Sequence, residues 1–124
     1  MYMKKAFRTG VDIAMTAVTI LLMGFQRTGL SLHIFLGFTL FFLTLIHNGL
    51  NLSWWAALGR GQYNRCRWTR TVLNILLLAD LAALMVSGMA FAVGIHRILA
   101  LLFLVLVAVH ASSHGKYFFR RVRN

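Results

Sequence analysis

The stretch LHIFLGFTLFFLTLIHNGLN, residues 32–51, decides the fold class. It carries no charged residue, and the uncharged run around it extends from Arg27 to Arg60. A helix needs about 20 predominantly apolar residues to cross a hydrocarbon core about 30 Å thick. The stretch therefore predicts a transmembrane helix, and it places two histidines, His33 and His47, inside that helix.

A second apolar stretch near the other end of the chain repeats this pattern. It reads IHRILALLFLVLVAVHASSH, residues 95–114, and its His96 and His110 have the same separation of 14 residues. Fourteen residues make nearly four helical turns, so each pair falls on one helix face, about 21 Å apart along the axis. A single histidine in a membrane helix is commonly an interhelical hydrogen-bonder, and that interpretation stays open for each one alone. Two pairs with one spacing indicate axial ligands for two b-type haems stacked across a membrane.

The composition assigns the chain to the membrane class. Its 124 residues are 60% hydrophobic, and 13 Lys and Arg against two Asp and Glu give a net charge of +11. The cations bracket apolar runs and do not form one face, which favours membrane lipid over a nucleic-acid partner. Cys66 is the only cysteine, so the chain has no disulfide framework and no Cys-x-x-Cys-His attachment for a c-type haem.

We expect an all-α membrane protein with one membrane domain over residues 1–124. Apolar runs predict four transmembrane helices, at about residues 11–25, 31–51, 70–90 and 95–114. The basic segment before the first helix is interpreted as a retained anchor, because no small-x-small cleavage site follows it. The longest loop, residues 53–69, combines tryptophans with arginines, which is typical of a membrane interface.

The distribution of cations predicts the orientation of the helices. The N-terminal segment, the central loop and the C-terminal tail hold most of the lysines and arginines, whereas the two opposite turns hold only Arg27 and Arg97. The positive-inside rule then places both termini in the cytoplasm. We expect a multi-pass protein of the bacterial cytoplasmic (inner) membrane.

The two halves of the sequence repeat with a period of 63 residues, which aligns His33 with His96 and His47 with His110. This period predicts a duplicated helical hairpin, arranged as a four-helix up-down bundle in which the two histidine-bearing helices run parallel. Parallel helices pair His33 with His96 as ligands of an outer haem. They pair His47 with His110 as ligands of an inner haem.

Small residues near the histidines predict a close approach of a flat macrocycle to the backbone. Gly37 and Ala100 lie one turn from the outer ligands on the same helix faces. Gly24 and Gly88, on the first and third predicted helices, are candidates for the same role from the sides. Gly24 aligns with Ser87 in the repeat.

Four polar residues are candidates for contacts with haem propionates or with a quinone: Arg97, Arg27, Arg70 and His114. Guanidinium groups pair well with carboxylates, although snorkelling of arginines to lipid headgroups is the alternative. His114 follows His110 by one turn, so it can replace it as ligand, contact a propionate, shape a quinone pocket or face headgroups. The repeat spacing favours His110 as the ligand.

The two acidic residues lead to separate predictions. Asp80 lies well inside the third predicted helix, where a carboxylate is costly. It is either a protonated structural hydrogen-bonder or a proton acceptor for a quinol. Asp12 lies near the cytoplasmic end of the first predicted helix, and we expect it to pair with Arg8 or to cap that helix.

The chain also resembles a known family, the flavinylation-associated cytochromes. The resemblance covers nearly the whole chain and rests on the four-helix plan and on the stretch HNGLNLSWW, residues 47–55. Its motifs are His-x-x-Leu-Asn-x-x-Trp and a closing His-x-x-x-His, formed by His47, Leu50, Asn51, Trp54, His110 and His114. The histidine layout is also similar to that of the cytochrome b of quinol-oxidising respiratory complexes. The resemblance implies a b-type cytochrome that exchanges electrons between the quinone pool and a partner, often a protein with covalently bound flavin.

These observations predict a dihaem electron-transfer subunit of an oxidoreductase complex, with two haem b and a quinone as a further candidate ligand. It would relay electrons between the quinone pool and an extracytoplasmic redox partner. One alternative is the haem-bearing membrane anchor subunit of a multi-subunit dehydrogenase or reductase. Another is a haem-free membrane scaffold protein, which the number of haems per polypeptide would distinguish.

Overall fold

A computed structural model describes the backbone of residues 1–123 and the side chains of residues 1–115, 120 and 123. Within this part of the chain the regular structure is entirely helical. The helices are α1 Tyr2–Met23, α2 Phe25–Thr28, α3 Leu30–Leu50, α4 Leu52–Ala56, α5 Arg65–Met89 and α6 Val93–Arg123. By length and composition α1, α3, α5 and the Val93–Gly115 part of α6 can each cross a membrane. This confirms the predicted all-α class and the prediction of four helices that are long and apolar enough to cross a membrane.

The first 57 residues form one compact unit, which we call hairpin 1. In it α1 packs against α3, and α2 connects the two. Leu36, Leu40 and Thr44 of α3 are buried at intervals of four residues, which places them on one stripe of the helix. The Thr44 hydroxyl donates to the Leu40 carbonyl at 2.8 Å, so this buried polar group is satisfied within its own helix.

The turn of hairpin 1 depends on a glycine. Gly29 lies between α2 and α3 with a φ of 81°, in the left-handed region that a residue with a Cβ rarely adopts. The backbone N–H of Gly29 donates to the Phe25 carbonyl at 3.0 Å, which closes the last turn of α2. Arg27 lies exposed in this short helix.

Residues 58–123 form the second compact unit, hairpin 2, in which α5 packs against α6. Helix α5 begins at Arg65 because the Asn64 side chain accepts a hydrogen bond from the Arg67 backbone N–H at 2.8 Å. The buried residues of this hairpin include Asp80 and Ser87 on α5 and Phe103 on α6.

Two helices begin earlier than the apolar runs predict. Helix α1 begins at Tyr2, although the apolar pattern indicates a start near Val11, and α5 begins at Arg65 rather than near Arg70. Lysine and arginine are good helix formers, so a helix continues through a basic segment beyond its apolar stretch. The segment predicted as one long loop also contains a short helix, α4, in which the Trp55 indole N–H donates to Asn48 Oδ1 at 3.1 Å.

Candidate haem-ligand histidines

His47 lies in the last turn of α3 and is held by a residue of α1. Its Nδ1 is 2.9 Å from Oδ1 of Asp12, and the two side chains are 31% and 28% exposed. An ionised carboxylate only accepts hydrogen bonds, so Nδ1 is the nitrogen that carries the proton. In the neutral imidazole, Nε2 then carries the lone pair that a metal ion can bind.

The end of hairpin 1 that contains this pair is fixed by further polar contacts. The Arg8 guanidinium, one turn from Asp12 on α1, donates from Nη2 to the Leu50 carbonyl of α3. The side chain of Asn51 donates from Nδ2 to the His47 carbonyl at 2.7 Å. Helices α1 and α3 are therefore joined at this end by two side-chain contacts, Arg8 to the Leu50 carbonyl and Asp12 to His47, while Asn51 bonds within the end of α3.

Asp12 corrects one sequence-based prediction. Since α1 begins at Tyr2, Asp12 lies inside the helix and does not cap it, and its carboxylate contacts the His47 ring 35 residues away in sequence. The predicted partner, Arg8, instead donates to the carbonyl of Leu50. Sequence reasoning missed Asp12 as a residue of the site. The available signal was its rarity, because the whole chain has only two acidic residues.

His96, near the start of α6, is held by α5. Its Nδ1 is 3.1 Å from the Leu84 carbonyl oxygen and 3.0 Å from Oγ of Ser87, whose hydroxyl donates to the same carbonyl at 3.1 Å. A carbonyl oxygen only accepts, so Nδ1 of His96 is also the protonated nitrogen. His96 and His47 thus have the same tautomer, although a neutral acceptor fixes one and a carboxylate fixes the other.

Gly88 allows the His96 ring to lie against the backbone of α5. A Cβ built on Gly88 would lie 3.3 Å from Cε1 and 3.5 Å from Nδ1 of His96. The sequence predicts that Gly88 makes room for a macrocycle. The structure shows that the group in closest contact with this glycine is the histidine ring itself.

His33, at the start of α3, contacts the turn of its own hairpin. Its ring lies edge-on to Phe25, with ring centroids 4.9 Å apart and an interplanar angle of 68°. Phe25 and Gly88 occupy equivalent positions of the 63-residue repeat, as do His33 and His96. Each of these histidines therefore contacts the same repeat position of its own hairpin, which extends the repeat from sequence to packing.

His110 and His114 lie one turn apart on α6 and their rings contact each other. The ring centroids are 4.6 Å apart with a tilt of 33°. Nδ1 of His114 is 3.0 Å from the His110 carbonyl oxygen and 2.9 Å from Oγ of Ser113, and the Ser113 hydroxyl donates to that same carbonyl at 2.8 Å. His114 is therefore tied to its own helix with Nδ1 protonated, and its role at a propionate or a quinone stays a prediction.

The remaining predicted site residues are placed by their own helices. A Cβ on Gly37 would meet nothing within 4 Å, so the backbone of α3 is open at that level. Ala100 is half-buried on α6, and Arg70 is half-buried in the second turn of α5. Arg97, next to His96, is exposed. Their proposed contacts with a cofactor stay predictions.

Asp80 is a buried acidic residue of α5. It is 5% exposed, and neither carboxylate oxygen has a hydrogen-bond partner within the part of the chain that the structure describes. It lies on the face of α5 that also buries Leu73 and Ser87. Its two predicted roles, a structural acid or a proton acceptor, stay predictions.

The described part of the chain is therefore helical and of membrane-protein character, with four helices long and apolar enough to cross a membrane, and the candidate histidines lie in two of those helices. No family model, curated protein or solved structure matches the chain. Among the described residues, no three His, Cys, Asp or Glu side chains come together as ligands for a metal ion. That observation concerns clusters of three, whereas bis-histidine ligation of haem uses two side chains for each iron.

Proposed function

We propose that the protein is a dihaem b-type cytochrome subunit that relays electrons across a membrane. The observation that carries this proposal is the state of two histidines, His47 and His96, in membrane-spanning helices. Each has Nδ1–H in a hydrogen bond to an acceptor of its own hairpin. Histidines that ligate metals almost always donate their other ring N–H in this way, which fixes the ring and raises the basicity of the ligating nitrogen.

The donor set fits haem b. Neutral imidazoles are low-cost ligands in hydrocarbon, and two of them complete the axial coordination of a haem iron. In the proposed up-down bundle, His33 and His96 hold the outer haem, and His47 and His110 hold the inner one. When bound, each haem supplies a reversible one-electron change at its iron. The chain's own residues orient the imidazoles and leave open backbone at Gly37.

The cations of the chain supply partners for the propionates. Haem propionates are anions, and arginine forms charge-assisted hydrogen bonds with carboxylates. We assign this role to Arg97 and Arg27 beside the outer haem and to Arg70 beside the inner one, with His114 as a further contact to a propionate or a quinone. The scarcity of acidic residues supports this assignment, because the chain contains 13 lysines and arginines but only two acidic side chains.

The partners follow from the resemblance noted above. The protein would exchange electrons with the quinone pool on one side and with an extracytoplasmic redox partner, a flavoprotein or a dehydrogenase subunit, on the other. The cation distribution supports both termini in the cytoplasm of a bacterium and the helices in its inner membrane. Chemistry on a substrate would then belong to the partner in an oxidoreductase complex.

The decisive experiment is haem quantification on the purified protein in detergent, combined with a reduced-minus-oxidised visible spectrum. We expect two haem b per polypeptide. The matched control is a variant in which the four proposed ligands are replaced by alanine: His33, His47, His96 and His110. We expect this variant to contain no haem and to retain its helicity, as measured by circular dichroism. A helical wild-type protein without b-type absorption would instead make the chain a membrane scaffold. One haem would contradict the dihaem proposal.

A further inference from the structure

The two hairpins support their histidines with acceptors of different charge. In hairpin 1 the acceptor for Nδ1 of His47 is the carboxylate of Asp12, and the repeat places an apolar residue, Ile75, at the equivalent position of hairpin 2. In hairpin 2 the acceptors for Nδ1 of His96 are the Leu84 carbonyl and the Ser87 hydroxyl, which are neutral. The two halves have therefore diverged at the groups behind the histidines.

This difference in charge changes what each imidazole does to an iron. A hydrogen bond from Nδ1–H to a carboxylate is charge-assisted and stronger than one to a neutral oxygen. It draws the proton away from the ring and makes Nε2 the more electron-rich donor. An electron-rich axial ligand stabilises ferric over ferrous iron, so it lowers the reduction potential.

We propose that Asp12 is a positioning residue that sets the potential of the haem bound through His47 below that of the haem bound through His96. A single electron in the protein then resides preferentially on the haem of His96. The inference rests on the proposed haem ligation and adds to it an order of potentials. Cations near the histidines also contribute. Arg97 next to His96 raises the upper potential and supports this order, whereas Arg8, one turn from Asp12, offsets part of the carboxylate charge and weakens it.

The test is redox potentiometry of the two haems by visible spectroscopy in the purified holoprotein. The variant Asp12→Asn keeps an oxygen acceptor of the same shape for Nδ1–H and removes the charge. We expect the lower potential to rise by at least the equivalent of a tenfold change in the ferric-to-ferrous preference, which is about 59 mV for one electron. The upper potential should not change in Asp12→Asn. In His47→Ala, the redox transition with the lower potential should be absent.

The control is Lys4→Gln, which also changes the charge of α1 by one unit, but at an exposed side chain that does not contact a histidine in any described hydrogen bond. We expect it to leave the separation of the two potentials unchanged. Shifts of the same size in both variants would mean that Asp12 acts only through the net charge of α1, and they would overturn the proposal. The proposal would also be overturned if the lower potential did not change in Asp12→Asn, or if His47→Ala lost the transition with the upper potential.

A second measurement does not depend on haem. Nitrogen-15 NMR of the histidine side chains in the haem-free protein reports which ring nitrogen carries the proton. We expect Nδ1–H for His47 in the wild type and a loss of that preference in Asp12→Ala, with His96 unchanged in both. If the wild-type protein contains no haem, the proposed function is wrong, although the NMR result can still hold. If the protein contains two haems and the potentials do not shift in Asp12→Asn, only the proposed role of Asp12 is wrong.

Discussion

The contact between Gly88 and His96 gives the sharpest test of how hairpin 2 orients its histidine. Replacing Gly88 by alanine puts a methyl group 3.3 Å from Cε1 of the ring, closer than ordinary van der Waals contact, and 3.5 Å from Nδ1, which is an ordinary contact. The ring must retreat by a few tenths of an ångström. Its Nδ1 hydrogen bonds, at 3.0 and 3.1 Å, then lengthen toward the limit of useful geometry.

The size of the effect follows from those two bonds. The net contribution of one hydrogen bond is about 0.5–1.5 kcal/mol, which corresponds to a change of about 2- to 13-fold in an equilibrium constant. We therefore expect Gly88→Ala to weaken haem binding at His96 by about that factor and to leave the second haem in place. The assay is haem titration into the haem-free protein, followed by difference spectroscopy.

The matched control is Gly94→Ala, in the first turn of α6. A Cβ at Gly94 meets nothing within 4 Å, and the substitution brings the same gain in helix propensity. We expect wild-type affinity for both haems in this variant. Equal affinities in the Gly88 and Gly94 variants would refute the idea that the contact with α5 orients His96.

Three further predictions follow from the proposed bundle. His33→Ala and His96→Ala should remove the same spectral component, because parallel helices pair these ligands; loss of different components would show that the pairing is wrong. His114→Ala should keep two haems and His110→Ala should lose one, which haem quantification measures. The reverse result would show that His114 is the ligand, one helical turn from the position proposed for it. A reporter fused after Asn124 should indicate the cytoplasm, and a periplasmic signal would overturn the assignment of outer and inner haems.

The sequence predicts the spans better than it predicts their ends. Apolar runs alone were sufficient to identify four membrane helices, because the bilayer thickness sets their length. Hydropathy contains no information on where a helix stops outside the hydrocarbon core. The early start of α1 at Tyr2 and the Asn64 cap of α5 depend on helix propensity and on a side-chain hydrogen bond.

The candidate site shows the same contrast between what one segment of sequence specifies and what helix packing specifies. Spacing along one helix is enough to nominate the histidines as candidates, since helical periodicity is a property of a single segment, and their ligation of haem stays a prediction. The groups that orient them lie on a different helix. Asp12 is 35 residues from His47, and the Leu84 carbonyl is a backbone atom that no side-chain pattern reveals. Those contacts depend on how two helices pack, which periodicity within either one does not specify.

The contacts that orient His47 and His96 have a consequence for the order of assembly. Each lies within one hairpin, between α1 and α3 or between α5 and α6. Immobilising a side chain costs about 0.5–1.5 kcal/mol in conformational entropy, and here that loss occurs as each hairpin closes. A nascent chain therefore has a pre-oriented imidazole as soon as its first hairpin has entered the membrane, while the ribosome is still making the second.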